Sequence, residues 1–369
     1  MNPFSYGRIV TERDYCQRPS LEATLRAKLT AGQNVYLEGE RRTGKTSLVL
    51  ETVRKMKTKR IVYADLLEVR GVEDIHKRIL NAILQSERES GFFQKALKAF
   101  STLRPAMTFD PMTGMPSLSI DTSVSLKPDS LEGLFNLFAE SEFKNAVVMI
   151  DEFQDIQNLS DARQALAIMR GRIQFLKRIP FVFCGSMRSK MHTMFNDPDS
   201  PFFKSALPIE VGSLDKKNFV EFIGRKFREG SVKISAATIE RILHITGENP
   251  GDTQQFCSAI FDVAKSGVEV DETIIREALQ YVFGEEQKGY EASLARITGI
   301  QLRCLVALAR LNGNNVLSRQ FLYAAGALHS STVKKSLERL ESLKIIFKNA
   351  GIYKFVNPFF GHWLLFRNF

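Results

Sequence analysis

The spacing of apolar positions changes twice along the chain. Over residues 34–185, short continuous apolar runs alternate with longer stretches of helical spacing. The runs at 34–38, 60–65, 146–150 and 180–184 read as buried strands, most of them closed by a glycine or an acid. The stretches 45–57, 72–90, 92–103, 130–144 and 160–178 read as helices, and 107–121 as a hairpin with alternating arms around a Pro/Gly turn. Strands alternating with helices imply a parallel sheet covered on both faces. After Ser213 the strand signal disappears, and 215–227, 235–246, 250–266 and 271–282 all carry helical periodicity. Residues 284–289 are polar and read as a linker.

The last 80 residues change pattern again. Two helical stretches, 298–311 and 318–325, are followed by a turn at Gly326 and a third helix that Ser330 is placed to cap. Val333, Leu337, Leu340 and Leu343 form one face of that helix. Residues 345–348 and 352–356, separated by Asn349-Ala350-Gly351, read as a two-stranded wing. Three helices and a hairpin make a winged helix-turn-helix.

Length and composition bound the rest. A chain of 369 residues is too long for one ordinary core, and 44% hydrophobic with 25% charged residues excludes disorder, collagen and coiled coil. No apolar run approaches the ~18 residues of a membrane span, and the N-terminal M-N-P-F-S-Y-G-R lacks a basic-then-apolar signal layout. The expected setting is the cytoplasm, with no membrane partner. Cys16, Cys184, Cys257 and Cys304 share no CxxC or Cys/His spacing, so they read as reduced thiols. His76, His192, His244, His329 and His362 form no ligand spacing and read as structural. The net charge of +10 is unevenly placed: residues 290–369 hold 11 Lys+Arg against 3 Asp+Glu, a net of +8. A basic terminal module on a near-neutral body points to a polyanionic partner, against the plainer reading of a solvated basic surface.

The candidate chemistry lies between the first two strands and at later strand ends. Gly39, Glu40, Arg41, Arg42, Thr43, Gly44, Lys45 and Thr46 match G-x-x-x-x-G-K-[ST] directly after a strand and before a helix, with Ser47 following. Such a loop turns successive backbone N–H groups toward phosphate oxygens and adds the helix N-terminus. Lys45 is expected at the β- and γ-phosphates of ATP and the Thr46 hydroxyl on Mg²⁺. Arg41 and Arg42 sit on the loop's crest, open to nucleotide, a neighbouring subunit or water. The run 146–150 ends in Asp151 and Glu152: Asp151 is expected to complete the Mg²⁺ site, Glu152 to orient and deprotonate the attacking water. Ser186, at the tip of the strand ending Cys184-Gly185, is a candidate contact to the γ-phosphate or the water.

These residues together resemble a family. Gly39-Glu-Arg-Arg-Thr-Gly-Lys-Thr-Ser47, Val148-Met-Ile-Asp-Glu-Phe-Gln154 and Cys184-Gly-Ser-Met-Arg188 are similar to the archaeal-type ATPases, on the signal-transduction (STAND) side of the AAA+ P-loop ATPases. Arg18-Pro-Ser-Leu-Glu22-Ala-Thr-Leu25 resembles the segment that precedes their sheet, and Thr246-Gly-Glu-Asn-Pro250 an element of their helical lid. The resemblance implies an α/β P-loop core with its N-terminal segment over 1–212, a helical lid over 213–285 and a winged helix-turn-helix over 290–369. One departure stands out: relatives often have P-L-Y-G-R-A where this chain has Pro201-Phe-Phe-Lys-Ser-Ala206, so no arginine is supplied at that position, and either Lys204 substitutes for it or the arginine role is absent.

The favoured expectation is an ATP-hydrolysing switch whose nucleotide state positions the basic module for DNA or protein. The alternatives are a DNA-binding regulator with ATP as a structural ligand, a ring-forming loader or initiator, and, least favoured, a metabolite kinase. Ser331, Thr332, Lys334, Lys335 and Arg339 are available to a duplex groove, with Lys348 and Lys354 near phosphates. Protein docking through the module and self-association are the competing partners.

Overall fold

In a computed structural model, residues 2–57, 59–86, 106–109, 116–119, 128–139, 143–264, 267–349 and 351–367 are described. The chain divides into two compact units, residues 9–212 and residues 1–8 with 213–369.

The first unit is built on a five-stranded parallel sheet. Its strands are β1 (Val35–Glu38), β2 (Arg60–Asp65), β5 (Ala146–Asp151), β6 (Phe181–Cys184) and β7 (Leu207–Glu210), in the order β2-β5-β6-β1-β7. The apolar runs are continuous because both faces are covered. Along β5, Val148 and Ile150 join one core with Phe181 and Phe183, while Val147 and Met149 join the other with Val182 and Cys184. α1 (Pro19–Thr30) and α2 (Lys45–Lys55) supply Leu25, Leu29, Leu48 and Val49 to the second core. The first core is filled from α3 (Val72–Ser86), α4 (Ser130–Asn136), α5 (Ala162–Ile173) and α6 (Arg188–Asn196). Rings dominate it: Phe153, Phe183, Phe195 and Phe202 lie within 4.6–6.1 Å of one another.

Several expected elements differ in extent. The helix expected over 160–178 is α5, and that over 130–144 gives way after Asn136 to a 3₁₀ turn, Leu137–Ala139. The expected 107–121 hairpin forms between β3 (Ala106–Phe109) and β4 (Pro116–Ser119), antiparallel, with its turn outside the described residues. The helix expected over 92–103 also lies outside them. β7 was not foreseen. Only Ile209 of its four residues is buried, and Pro208 suits an edge strand alone.

The second unit is helical as far as its wing: α7 (Lys216–Glu229), α8 (Ala236–Ile245), α9 (Pro250–Val263) and α10 (Glu272–Leu294). Their starts follow capping chemistry, with Asp215, Ser235, Asn249 and Asp271 each accepting a backbone N–H of the first turn. Residues 2–8 belong here: Asn2 Nδ2 donates to Ser258 and Asp262, and the buried Lys226 donates to the Pro3 carbonyl at 3.0 Å. α10 runs unbroken through 284–289, where a linker was expected. Gly284 and Gly289 face open space and cost about 1 kcal/mol each in helix propensity, while Phe283 and Tyr290 beside them are buried.

The remaining elements are α11 (Gly299–Leu311), α12 (Arg319–Ala324), α13 (Ser330–Ser342), the wing strands β8 (Ile346–Asn349) and β9 (Ile352–Phe355), and α14 (Pro358–Phe366). Ser330 is the first residue of α13, and the flanking His329 makes no side-chain cap, contrary to the expected serine cap. α14 was also unforeseen. Asn357 caps it, Pro358 begins it, and Phe359, Phe360 and Trp363 pack on Phe256 and Tyr290 at 5.1–5.7 Å.

Candidate nucleotide site

The glycine loop leaves β1 and enters α2. Gly39 is required by close approach, since a Cβ there would stand 2.6 Å from the Val211 carbonyl oxygen. Gly44 is required by conformation, with φ of +84°, and Arg42 also takes a left-handed φ of 62°. Thr43 Oγ1 donates to the Glu40 carbonyl at 2.9 Å and tightens the bend. Lys45 begins the helix, and its Nζ folds under the loop to donate to the carbonyls of Gly39 (2.9 Å) and Glu40 (2.7 Å). Burial lowers the Lys45 pKa, opposed by the nearby carboxylates of Glu152 and Asp151.

The tips of β1, β5 and β6 are adjacent, and this brings the other predicted residues together. Thr46 Oγ1 donates to Asp151 Oδ2 at 2.6 Å, and the Tyr63 hydroxyl approaches the same oxygen at 3.4 Å. Burial raises the Asp151 pKa, against the hydrogen bonds from Thr46 and the Glu152 N–H. A part-buried hydroxyl–carboxylate pair beside a phosphate loop is an all-oxygen donor set of the kind Mg²⁺ prefers, so the residues fit that ion. Glu152 has φ of 47° and turns its carboxylate toward β6. There Oε2 accepts from Gln154 Nε2 (2.5 Å), Ser186 Oγ (2.7 Å) and Ser186 N (3.2 Å). Ser186 therefore meets the acid that was expected to act on water.

Ser47 faces elsewhere. Its hydroxyl accepts the Val10 N–H at 3.1 Å and fixes the segment preceding α1. Arg41 and Arg42 are exposed on the crest. Sequence reasoning missed Arg18 as a loop residue: its guanidinium donates to the Thr43 carbonyl at 2.8 Å and the Gly212 carbonyl at 2.7 Å. Glu22, which accepts the Arg18 N–H and pairs with Lys55 at 2.7 Å, holds it in place. The signal was present in the spacing of Arg18 and Glu22 ahead of the sheet. Lys204, at the departure from the family pattern, is exposed with its Nζ 5.1 Å from the Phe203 ring centre.

In the terminal module, Ser331, Thr332, Lys334, Lys335 and Arg339 are exposed on α13, while Val333, Leu337 and Leu340 are buried. The face is not purely basic, because Glu338 is exposed beside Arg339. Lys348 and Lys354 are exposed on the wing, Lys348 lying 5.3 Å from the Tyr353 ring centre.

A phosphate loop between a parallel strand and a helix, backed by an acid pair at the end of a strand one place removed in the sheet, defines a P-loop ATPase fold carrying a winged helix. The family described as an ATPase domain predominantly from Archaea matches residues 21–256, and the chain belongs to it. A probable winged helix domain matches residues 288–365. No curated protein matches the sequence. Among solved structures, a Walker-type ATPase of Pyrococcus abyssi is similar over 98% of this chain and 99% of that one, with a TM-score of 0.66 at 20% identity. The Aeropyrum pernix ORC1 protein in complex with DNA is similar over 96% and 93%, with a TM-score of 0.51 at 11% identity. The ADP form of the Aeropyrum pernix ORC2 protein is similar over 93% and 90%, with a TM-score of 0.50 at 14% identity. At these identities the likeness is one of fold.

Proposed function

We propose that the chain is an ATP-hydrolysing molecular switch whose nucleotide state positions the basic winged-helix module for binding duplex DNA. The observation that carries the hydrolytic part is the Glu152 carboxylate, held at the β5 tip next to the Thr46–Asp151 pair. On this reading the loop N–H groups and Lys45 bind the phosphates, Lys45 exchanging its two carbonyl acceptors for phosphate oxygens. Thr46 and Asp151 would hold Mg²⁺, which would supply charge neutralisation at the phosphates. Glu152 gives up one of the donors on Oε2 to accept a proton from water, and Ser186 and Gln154 hold the rest of the carboxylate in register. An acid in this role contributes about 10²–10⁴-fold.

The deciding experiment compares ATP binding and turnover in wild type and Glu152→Gln. The expected result is unchanged ATP affinity with turnover reduced at least about a hundredfold. Equal, measurable turnover in the two proteins would remove Glu152 as base, and negligible turnover in both would favour ATP as a structural ligand. For DNA, the exposed cations Lys334, Lys335, Arg339, Lys348 and Lys354 support the reading. Neutralising four or five phosphates gives a log–log salt slope of about −4. Duplex binding by the full chain should follow that slope and be lost in the Lys334→Glu/Lys335→Glu double variant.

A further inference from the structure

The two most exposed large apolar side chains among the described residues lie five positions apart. Leu328 is 92% exposed and Tyr323 91%, the first in the turn before α13 and the second near the end of α12. Large apolar groups displayed this fully on one short helix-turn segment point to an interaction surface. The turn between them is fixed from behind. Gly326 has φ of +60°, and Arg303 of α11 packs against it while its Nε donates to the Ala325 carbonyl at 3.1 Å. Ala325 and Phe321 are fully buried beneath. The turn is thus a rigid mount that leaves Tyr323 and Leu328 pointing outward.

Charge identifies the occupant. The apolar pair is followed on α13 by the exposed Ser331, Thr332, Lys334 and Lys335, in a module of net charge +8. An apolar pair set among cations and hydroxyls complements a surface with apolar groups between rows of anions. The major groove of duplex DNA is such a surface, with thymine methyl groups between two phosphate backbones. A protein partner would have to bring its own acids. We propose that Tyr323 and Leu328 are base-contacting residues that read thymine methyl groups in duplex DNA, with Lys334 and Lys335 on the flanking phosphates. This rests on the DNA-binding reading above and adds to it the element that confers sequence preference, since phosphate contacts position a protein but carry no base information.

The test uses the full chain, labelled ~30-base-pair duplexes rich in A·T, and the same duplexes with uracil in place of thymine, read by fluorescence anisotropy. Uracil lacks the methyl group and leaves the backbone unchanged. Each methyl in apolar contact is worth about fourfold in affinity, so wild type should bind the thymine duplex about four- to fifteenfold more tightly. Leu328→Ala and Tyr323→Ala should lose that preference, binding the two duplexes with equal affinity, and melt at the wild-type temperature. Lys334→Glu/Lys335→Glu should weaken both duplexes alike. If wild type binds both duplexes equally and the two alanine variants change nothing, the inference is overturned while DNA binding stands. If wild type binds neither duplex near ~50 mM salt, the DNA reading itself fails, and this inference with it. If the alanine variants instead change the oligomeric mass in light scattering and leave DNA affinity untouched, the surface docks protein and the inference is overturned.

Discussion

Glu286 is the point at which α9, α10 and α14 are tied together, and its replacement by glutamine gives a sharp test of the second unit. Its Oε1 accepts from Gln255 Nε2 at 2.7 Å, while its Oε2 accepts from the Tyr290 hydroxyl at 2.9 Å and from Asn357 Nδ2. Three donors converge on one carboxylate. Glutamine keeps the volume but offers one acceptor oxygen and two N–H groups, so at least one of the three donors meets another donor. Hydrogen bonds to a charged group are worth about 1.5–3 kcal/mol and neutral ones about 1, and stranding a buried donor costs about 1–3. With the site half-buried, the sum is about 2–4 kcal/mol. For a unit of this size each kcal/mol moves the melting temperature by about 2–4 °C, so a fall of roughly 10 °C is expected by scanning calorimetry. Amide exchange across α14 should accelerate at the same time, because Asn357 also caps that helix through the Phe359 N–H at 3.0 Å. Tyr290→Phe, which removes one donor and leaves no clash, should cost only about 1 kcal/mol. A Glu286→Gln melting temperature within about 1 °C of wild type would show that the convergence carries no stability, and with it no mechanical tie between the α7–α10 helices and the winged helix.

Three further outcomes follow from the geometry. Lys45→Ala should weaken ATP binding more than tenfold in a calorimetric titration, since it removes a charge-assisted contact worth about 1.5–3 kcal/mol; wild-type affinity would remove the phosphate assignment. Gly39→Ala should also cost nucleotide affinity without altering any charge, because its Cβ would stand 2.6 Å from the Val211 carbonyl and overpacking of this kind costs about 1–3 kcal/mol. His76 should make the first unit acid-sensitive. Burial pushes its pKa down to about 4, against about 6.5 when unfolded, so its contribution is complete above 6.5 and is lost as pH falls toward 4. About 2 kcal/mol should be gone by pH 5, and His76→Gln should flatten that part of the profile in denaturant titrations; parallel losses in the two proteins would refute it.

What could be read from the sequence was what obeys a local rule. The phosphate loop, the strand ending in Asp151-Glu152 and the capped helices after Asp215, Ser235, Asn249 and Asp271 each combine a periodic apolar run with a turn or cap residue, and each appears where the pattern placed it. The misreadings share the opposite property. β7 has one buried residue and a proline, so it carries no strand alternation and exists because β1 offers it an edge. Residues 284–289 look like a linker because glycine and charge dominate them, yet tertiary contacts through Phe283, Glu286 and Tyr290 hold the helix. α14 is apolar nearly all round and lacks a polar face to announce it, so only its partners Phe256 and Tyr290 reveal it. Arg18 clamps the loop from about 25 residues upstream, a contact that no window-based pattern reports.

Backbone strain separates ordinary features from those of the site in the same way. Several of the non-glycine residues with positive φ lie just past helix ends, as Lys57, Asn312 and Lys344 do, where a left-handed residue is a common way to close a helix. Arg42 and Glu152 have no such excuse. Arg42 lies within the phosphate loop, and Glu152 takes φ of 47° immediately after a fully buried strand, at a cost of order 1–3 kcal/mol each. A relaxed extended backbone at Glu152 would continue the direction of β5. The left-handed turn instead brings its carboxylate to Ser186 at the tip of β6, with the Asp151 side chain left on Thr46. Two consecutive acids are thereby given different partners on different neighbouring elements. On the proposed reading one strand end would serve both the Mg²⁺ site and the attacking water, with the left-handed turn at Glu152 keeping the two carboxylates on separate partners.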